Sequence, residues 1–316
     1  SMLTIGVIGC GAIFDQYLTN LTTGFPGVLE VRACADLDLA AAKARAQEFG
    51  IGIACSPEEL LADPSIGAVL NLTNPWAHAE VNKAALMSGK HVYAEKPLAM
   101  NRNDAQDVLS LALSSGLRIG CAPDTFLGAG LQTCIKVIDE GWIGSPTAAH
   151  ASISMPGHRM TPRYQSNGIG GVLLDMGPYY ITALVALFGP VKRLAGFASS
   201  TGEEKTLGSM ESAEYGTSFD VESPATVAGT LEFAGPVFAH LTTTVESSAY
   251  RPQLQIIGTD GVLTCNDPNM FGGPVMLERG GSEAREIPLL HQYNDRNRGL
   301  GIVEMLLAEE GERPHR

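Results

Sequence analysis

Residues 3–14 read LTIGVIGCGAIF, and this stretch indicates the fold of the first part of the chain. Its first six residues are a near-continuous apolar run, typical of a strand that is buried on both faces. Glycines at positions 9 and 11 then predict a tight turn, and a helix is expected from there to about Thr23. A buried strand, a glycine turn and a helix in this order begin a unit with parallel strands.

The same alternation of strand and helix continues to about residue 122. Further strands are predicted at residues 28–35, 66–72, 90–93 and 117–121, and further helices at residues 38–49 and 75–88 and from residues 56 and 101. Parallel strands joined by right-handed helical crossovers form a doubly wound sheet. The fold class predicted for residues 1–122 is therefore α/β, with a Rossmann-type doubly wound parallel sheet.

Residues 123–316 have a different pattern and are expected to form a second domain. A helix is predicted at residues 127–140, followed by alternating segments rich in Thr, Val and Ser at residues 146–153, 191–198, 226–233, 237–245 and 254–257. Such segments predict an α/β domain with a largely antiparallel sheet that is covered on one face. Residues 201–220 are polar and acidic, and we expect an exposed hairpin there.

The composition excludes several classes of function. The 316-residue chain has a net charge of −13, whereas a protein that binds nucleic acid or anionic membranes would need a basic face. The six cysteines form no Cys-x-x-Cys pair, and we interpret them as small buried hydrophobic residues in a reducing compartment, with neither a disulfide framework nor a metal site. No apolar run reaches the ~18–20 residues of a spanning helix and no signal peptide precedes the first strand, so we expect a cytoplasmic protein.

The glycine turn has the position of a pyrophosphate-binding loop. Two glycines let the backbone approach phosphates closely, and the N-terminus of the following helix supplies amide donors and a positive dipole. Gly9, Gly11, Ala12 and Ile13 are therefore candidate cofactor-binding residues. The third position of the dinucleotide-binding fingerprint holds Phe14, where glycine or alanine is expected, and this weakens the match.

An acidic residue stands where the adenosine ribose of such a cofactor would lie. Asp36 ends the second predicted strand, 22 positions after Phe14. A carboxylate there accepts hydrogen bonds from the ribose and repels a 2′-phosphate. Leu37 follows it, where an arginine would be needed to hold that phosphate. The pattern favours NAD over NADP, with the alternative that Asp36 only caps the next helix.

Two further loops follow strands of the predicted sheet, at the edge where ligands bind in such folds. Thr73, Asn74 and His78 would border the nicotinamide half of the cofactor, although an isolated histidine is more often a helix-surface residue.

The second loop holds Glu95, Lys96 and Pro97 directly after the strand at residues 90–93. It places an amine where a nicotinamide ring and a substrate would meet, and the alternative is a solvated surface charge.

The predicted second domain contains one further candidate pair. Asp175 and Tyr179 are four residues apart and share a helical face if one helix includes both. A carboxylate and a phenol on one face could handle a proton. The alternative is structural, with Asp175 as a helix cap and Tyr179 in the core.

Taken in order, these motifs resemble the Gfo/Idh/MocA oxidoreductase family, named for glucose–fructose oxidoreductase and inositol dehydrogenase. The motifs concerned are Gly9 and Gly11, Asp36, Thr73 to His78, Glu95-Lys96-Pro97, and Gly170-Gly171 with Asp175 and Gly177. The resemblance implies a Rossmann domain followed by an α/β domain with an open, mostly antiparallel sheet for substrate binding and oligomerisation. It also implies that Lys96 lies beside the substrate and nicotinamide, and that the bond before Pro97 is cis.

The chain departs from the family pattern at three places. Many relatives have histidine and aspartate at the positions of Tyr179 and Thr182. A tyrosine at position 179 is similar to glucose–fructose oxidoreductase and dimeric dihydrodiol dehydrogenase. Inositol is therefore a poor candidate for the substrate. The family segment Tyr-Asn-Arg-Arg-Phe is replaced by residues 121–126 without arginines, which argues against an anionic substrate. Relatives continue into another helix where this chain stops at Arg316, so we expect a truncated chain.

The expected function is NAD(P)-dependent hydride transfer to or from a secondary alcohol or carbonyl of an uncharged sugar-like or diol substrate. Lys96 would polarise the substrate oxygen, Tyr179 would exchange its proton, and Asp175 would orient Lys96 or the substrate. An NAD-retaining glycoside-cleaving enzyme and a non-catalytic NAD-binding regulator are the alternatives. A homodimer or homotetramer is expected, because the exposed face of an open sheet needs covering. His158, Arg159 and Tyr164 could contact substrate, but a solvated loop accounts for them better.

Overall fold

A computed structural model of the protein describes residues 2–157, 170–200, 204–208, 210, 214–310 and 313–316. The possible substrate contacts His158, Arg159 and Tyr164 lie outside these residues. Among the helices in the described part of the chain, none is long and apolar enough to span a bilayer.

The chain divides into two compact units. The first contains Ser1–Asp124 together with Arg296–Arg316, and the second contains Thr125–Asp295. The end of the chain thus belongs to the first unit, which differs from the second domain of residues 123–316 expected from the sequence. The physical reason is packing, because apolar side chains of the last helix are buried in the core of the first unit.

The first unit is built on a six-stranded parallel sheet. Its strands are β1 (Leu3–Ile8), β2 (Leu29–Ala35), β3 (Ile53–Cys55), β4 (Ala68–Asn71), β5 (His91–Ala94) and β6 (Ile119–Cys121). The order is β3-β2-β1-β4-β5-β6, and every neighbouring pair is parallel. This is the doubly wound arrangement predicted from the sequence. The chain adds strands on one side of β1 up to β3 and then on the other side from β4 onward, so the strand order reverses between β1 and β4. In such sheets ligands bind at the carboxyl ends of the strands near that point.

Three of the helices described in the first unit begin at residues whose side chains cap them. The helices of this unit are α1 (Phe14–Thr23), α2 (Leu39–Phe49), α3 (Pro57–Ala62), α4 (His78–Met87), α5 (Arg102–Ser114) and, from the end of the chain, α9 (Leu300–Glu310). Asp38 caps α2, and Asn101 caps α5 through the Asp104 amide. Ser56 and Glu59 form a reciprocal capping box on α3.

Two elements of the first unit were not predicted from the sequence, β3 and α9. Strand β3 is only three residues long and lies at the sheet edge, so it has too few positions to show a period. Helix α9 is apolar around most of its circumference, with Ile302, Met305 and Ala308 fully buried. Its sequence therefore lacks the one-sided pattern by which amphipathic helices are recognised.

The second unit contains a large, mostly antiparallel sheet. Its strands are β7 (Pro146–Pro156), β8 (Val191–Ser199), β11 (Thr226–Phe233), β12 (Phe238–Thr244), β13 (Glu246–Gly258), β14 (Gly261–Cys265), β15 (Val275–Arg279) and β16 (Arg285–Ile287). The order is β16-β15-β14-β13-β7-β12-β11-β8, and only β7 with β12 is parallel among these strands. This confirms the sheet type predicted from the sequence.

Three helices and a small ribbon complete the described part of the second unit. The helices are α6 (Ala129–Asp139), α7 (Gly171–Asp175) and α8 (Gly177–Phe188). Side chains from α6 and α8 form one apolar core with the inner face of the sheet. The short strands β9 (Glu204–Thr206) and β10 (Ser218–Asp220) pair with each other in antiparallel fashion.

Candidate active site

The glycine loop between β1 and α1 is closely packed at its first glycine and open at its second. Gly9 has a φ of +104°, and a Cβ there would lie 2.5 Å from the carbonyl carbon of Leu72. Only glycine suits this position, because both the backbone angle and the space exclude a side chain. A Cβ at Gly11 would meet no atom within 4 Å, and Gly11 and Ala12 are exposed.

Phe14, the unexpected residue of the fingerprint, packs against α2. Its ring lies 5.6 Å from the ring of Phe49 in an edge-to-face contact, and the Arg45 guanidinium lies 5.7 Å from its centroid. Phe14 is fully buried there. A large side chain is therefore accommodated at this position without entering the open space in front of Gly11.

Asp36 links the glycine loop to the end of β2. Its Oδ2 accepts a hydrogen bond from the Cys10 amide at 2.8 Å, and its Oδ1 accepts one from the Asp38 amide at 3.0 Å. Helix α2 is capped by the Asp38 side chain, which accepts from the Ala40 amide. The alternative role of Asp36 as the helix cap is therefore excluded. The half-buried carboxylate lies beside the fully exposed side chain of Leu37.

The loop after β4 is held by two asparagines. Asn71 is buried at the end of the strand, and its Oδ1 accepts from both the amide and the hydroxyl of Thr73, at 3.1 and 2.7 Å. Asn74 accepts from the Ala77 amide and starts a 3₁₀ turn, Pro75–Ala77. Thr73 and Asn74 are thus fixed by the protein itself at the carboxyl edge of the sheet.

His78 is a buried residue that joins two loops. Its ring is 1% exposed, with Nδ1 2.6 Å from the Pro97 carbonyl oxygen and Nε2 3.0 Å from the Thr73 carbonyl oxygen. The alternative of a helix-surface histidine is therefore wrong. A ring nitrogen that carries a hydrogen donates to the carbonyl oxygen it faces. The ring positions the loop after β5 relative to the loop after β4.

Glu95 holds the backbone of Lys96, the candidate catalytic lysine. Its Oε1 accepts from the Tyr17 hydroxyl at 2.6 Å, and its Oε2 accepts from the Lys96 amide at 3.0 Å. Glu95 is 8% exposed, whereas Lys96 is half-buried. The Lys96–Pro97 bond is cis, as the family resemblance implied. Both oxygens of Glu95 thus position the loop that carries Lys96.

Two buried polar residues of the first unit, Tyr17 and Asp124, were not indicated by the sequence motifs. Burial, and then the Glu95 charge, raise the pKa of Tyr17 well above its ordinary value, so its phenol remains a donor. Asp124 is completely buried, and its Oδ2 accepts from the amides of Gly299 and Gly301 at 2.8 and 3.0 Å. Its Oδ1 has no hydrogen-bond partner among the described residues. Burial raises the pKa of Asp124 to about 6.

Asp175 and Tyr179 lie on two consecutive helices. Helix α7 ends at Asp175, and α8 begins after Met176, whose φ and ψ are −105° and −29°. The condition for a shared helical face, one helix that includes both residues, is therefore not met. The N-cap residue of α8 is Met176, which makes no side-chain cap hydrogen bond, and Tyr179 belongs to the apolar core, as the structural alternative expected for it. Asp175 is half-buried and Tyr179 is 7% exposed, in the first turn of α8.

Asp267 follows strand β14 and gathers a set of hydrogen bonds that the sequence did not indicate. We call this set of residues the Asp267 cluster. Asp267 accepts from the hydroxyl of Tyr180 at 3.2 Å, from that of Tyr250 at 2.5 Å and from the Asn269 amide at 2.9 Å. Burial raises the pKa of Tyr180 and of Tyr250, with Asp267 contributing in both cases. The cluster therefore fixes the residue next to Tyr179.

One cleft in the described part of the second unit lies away from these residues. It has a volume of about 410 Å³ and is lined by Gly157, Lys205, Thr206, Val245, Glu246, Ser247 and Ser248. Lys205 and Glu246 form an ion pair across it. None of the candidate catalytic residues lines this cleft.

Comparison with known proteins agrees with the fold and with the loops described above. Residues 3–122 match the model of an "Oxidoreductase family, NAD-binding Rossmann fold", and residues 131–264 match the "GFO/IDH/MocA C-terminal domain". The chain belongs to the Gfo/Idh/MocA oxidoreductase family. This confirms the resemblance seen in the sequence motifs, and the first unit is the NAD-binding Rossmann domain of the family.

Several Gfo/Idh/MocA proteins are similar to this chain. The 1,5-anhydro-D-fructose reductase of Ensifer adhaerens is 33% identical over 175 residues, which are 54% of this chain and 52% of that enzyme. The match thus spans about half the length of that relative. The inositol 2-dehydrogenase of Ralstonia nicotianae is 28% identical over 308 residues, 93% of this chain and 81% of that enzyme. A structure of levoglucosan dehydrogenase with NADH and L-sorbose shares the fold, with a TM-score of 0.82 at 19% identity over 98% of this chain and 90% of that one.

The residues of the first unit fit a bound NAD molecule of the kind this family uses. The space in front of Gly11 is open, where the pyrophosphate would approach the backbone. The Asp36 carboxylate accepts two hydrogen bonds and retains lone pairs for ribose hydroxyls. These features require no change of the described loop.

Proposed function

We propose that this protein is an NAD-dependent dehydrogenase or reductase that acts on a secondary alcohol or carbonyl of an uncharged sugar-like or diol substrate. The names of the similar relatives support this class, because they denote redox enzymes of an anhydrosugar, of inositol and, in the mouse, of trans-1,2-dihydrobenzene-1,2-diol. The absence of arginines in residues 121–126 supports an uncharged substrate.

Residues of the first unit hold the cofactor in this proposal. Amides of Gly11, Ala12 and Ile13 donate to the pyrophosphate, Asp36 accepts from the adenosine ribose, and Thr73 and Asn74 border the nicotinamide. Bound NAD supplies the hydride acceptor or donor. Glu95 and His78 act through the loop they position, because both side chains are buried and bonded to the protein. The negative charge of Asp36 favours NAD over NADP.

The braced loop that carries Lys96 is the observation on which the proposal rests. Glu95 is anchored to Tyr17 in α1 and holds the Lys96 amide, so Lys96 follows β5 at a fixed point of the carboxyl edge. A residue fixed at that edge suits a group that must meet a reacting oxygen. In the proposed reaction the Lys96 ammonium polarises the substrate oxygen.

Residues of the second unit complete the proposed chemistry. Tyr179 exchanges the proton of the substrate hydroxyl, and Asp175 orients Lys96 or the substrate. Positioned proton transfer of this kind contributes about 10²–10⁴-fold to rate. The Asp267 cluster supports the role of Tyr179, because it holds the adjacent Tyr180 in place.

The function is tested by screening uncharged sugars and diols with NAD and NADP while the absorbance of the reduced coenzyme is followed. Lys96→Met should lose at least about 100-fold in turnover on any substrate found, while its affinity for NAD stays within about twofold. Lys96→Arg is the matched control, because it keeps the positive charge but replaces the amine by a guanidinium. It separates the effect of losing the charge from the effect of losing the amine. Undiminished turnover of Lys96→Met would remove Lys96 from the mechanism.

We also propose that the protein forms a homodimer or homotetramer through the outer face of the large sheet. The paired strands place Gln255, His150, His240 and Thr230 in one polar row across β13, β7, β12 and β11. Light scattering of the eluted protein gives the mass, and a monomer at micromolar concentration would contradict this proposal.

A further inference from the structure

Two cysteines of the second unit are in direct contact in its core. Cys134 lies in α6 and Cys265 ends β14, 131 positions apart in the chain. Their sulfur atoms are 2.9 Å apart, within about 1 Å of the length of a disulfide bond. Cys134 is fully buried and Cys265 is 9% exposed. Both thiols are free and buried in the apolar core, as the sequence-based interpretation expected, and the structure adds that they contact each other.

The contact between α6 and the segment after β14 is held by the backbone. The Gly130 amide donates to the Phe271 carbonyl oxygen at 2.8 Å. Side chains at Gly128 or Gly130 would collide with the backbone of residues 271 and 272, so glycine is required for this close approach. Cys134 follows one turn later and is thereby held against Cys265. Only a small movement is needed to bring the two sulfur atoms to bonding distance.

We propose that Cys134 and Cys265 form a reversible disulfide when the protein meets a hydroperoxide or a small-molecule disulfide. With hydrogen peroxide, one thiolate attacks the O–O bond and becomes a sulfenic acid, with loss of one water. The second sulfur then displaces the hydroxyl group as another water and closes the S–S bond. Two thiols and one peroxide thus give one disulfide and two water molecules.

Cys265 is the sulfur that a small oxidant can reach more easily. It is the more exposed of the two and borders a cavity of about 10 Å³, whereas Cys134 has no exposed surface. The hydrogen bond to Cys134, together with burial, raises the pKa of Cys265 well above its ordinary value. The thiolate is therefore scarce, and we expect oxidation of the folded protein over minutes to hours.

Formation of the disulfide affects the neighbouring Asp267 cluster. Asp267 is two residues beyond Cys265 and holds the hydroxyl groups of Tyr180 and Tyr250. A shift of the Cys265 backbone is transmitted to these tyrosines. A change in turnover would follow through Tyr179, and this consequence alone rests on the proposed function.

The disulfide is tested on the purified full-length protein without any substrate. The reduced protein is incubated with hydrogen peroxide or oxidised glutathione, unfolded in an alkylating reagent, and analysed by mass spectrometry. We expect two of the six thiols to be lost, a decrease of two hydrogen masses, and full reversal by dithiothreitol. Fragmentation should place the link between Cys134 and Cys265.

Two variants separate this pair from other thiols. Cys134 shares a tryptic peptide with Cys121, because no lysine or arginine separates them. Cys121→Ser should therefore still form the link, whereas Cys134→Ser should lose it. Six alkylated thiols in the oxidised wild-type protein, or a link that persists in Cys134→Ser, would overturn the proposal even if Cys134→Ser folds poorly. If oxidation lowered turnover although no disulfide formed, the disulfide proposal would be contradicted, and the change in turnover would have another cause.

Discussion

At the scale of single residues, the Asp36 carboxylate has a structural role, and the proposed function gives it a recognition role as well. Its oxygens hold the amides of Cys10 and Asp38, and so fix the glycine loop relative to β2. The same negative charge would meet the ribose of the cofactor. A test of recognition must therefore remove the charge while keeping an acceptor for the loop.

We expect Asp36→Asn to lose most of its discrimination against NADP. Asparagine keeps one acceptor oxygen, but it no longer repels a 2′-phosphate and binds ribose hydroxyls more weakly. Hydrogen bonds to charged groups contribute about 1.5–3 kcal/mol, so the ratio of the two dissociation constants should change by roughly 10–100-fold. Fluorescence titration with NADH and NADPH measures this ratio without a substrate.

Asp38→Asn is the matched control for that experiment. Asp38 is exposed, two residues further on, and its side chain caps α2, a role that asparagine retains. Its ratio of dissociation constants should equal that of the wild type. An unaltered ratio in Asp36→Asn, or an equal change in both variants, would show that Asp36 does not select the cofactor.

Asp124 predicts a pH dependence of stability. Burial raises its pKa to about 6, above the ordinary value of 3.8, so the folded protein holds this proton more tightly than the unfolded chain. The resulting stabilisation is complete below about pH 4 and is lost as the pH rises through about 6. Asp124→Asn cannot ionise and keeps an acceptor for the Gly299 and Gly301 amides. Its free energy of unfolding should therefore rise relative to wild type over this range, by up to about 3 kcal/mol.

Urea unfolding of both proteins between pH 4 and pH 8 measures this difference. It should grow with pH up to about 6 and stay constant above that. A difference that is the same at every pH would mean that Asp124 keeps one protonation state throughout. The comparison is made between the two proteins, so titration of other groups cancels.

At the scale of elements, α1 and the loop after β5 are joined by one hydrogen bond. Tyr17 of α1 donates to Glu95, and Glu95 holds the Lys96 amide. Tyr17→Phe should lower the free energy of unfolding by about 1–3 kcal/mol, because it leaves an oxygen of a buried carboxylate without its donor. It should also lower turnover by loosening the loop of Lys96.

A double-mutant cycle with Glu95→Ala, which removes the acceptor, isolates this interaction. If the two side chains act together, the coupling energy from urea unfolding should be about 0.5–3 kcal/mol. Additive effects of the two substitutions would show that the contact carries no coupling. Thr19→Val, on the exposed side of the same helix, controls for general loosening of α1 and should leave turnover unchanged.

At the scale of the whole molecule, the end of the chain completes the first unit. Ile302, Val303, Met305 and Leu306 belong to its core, and Asp124 receives the amides at the start of α9. Burial of one such apolar side chain contributes about 1.5–3 kcal/mol, and the four together approach the total stability of a typical domain.

A chain that ends at Asp295 should therefore lose the folded state of the first unit. We expect loss of NADH binding and rapid proteolysis within residues 1–124. A chain that ends at Glu310 keeps α9 and should bind NADH with unchanged affinity. Normal NADH binding by the shorter chain would show that the first unit folds without its C-terminal helix.

Much of this architecture could be predicted because local patterns repeat along the chain. The buried runs of β1 and β4, the glycine turn and the capped starts of α2, α3 and α5 each depend on neighbouring residues. The short strand β3 and the apolar helix α9 could not be assigned, because neither shows a period. The break at Met176 was also missed, since nothing in the local sequence marks it apart from Gly177 and Pro178.

The sequence by itself determined the family, the parallel and antiparallel sheets, and the loops that carry Gly9, Asp36 and Lys96. These properties follow from residue types at short spacing, which act through local backbone preference and burial. Only the tertiary structure decided that Tyr17 supports Glu95, that Asp124 caps a helix 176 positions away, and that Cys134 meets Cys265. Such contacts join residues far apart in the chain, and their energies exist only once packing has brought the partners together.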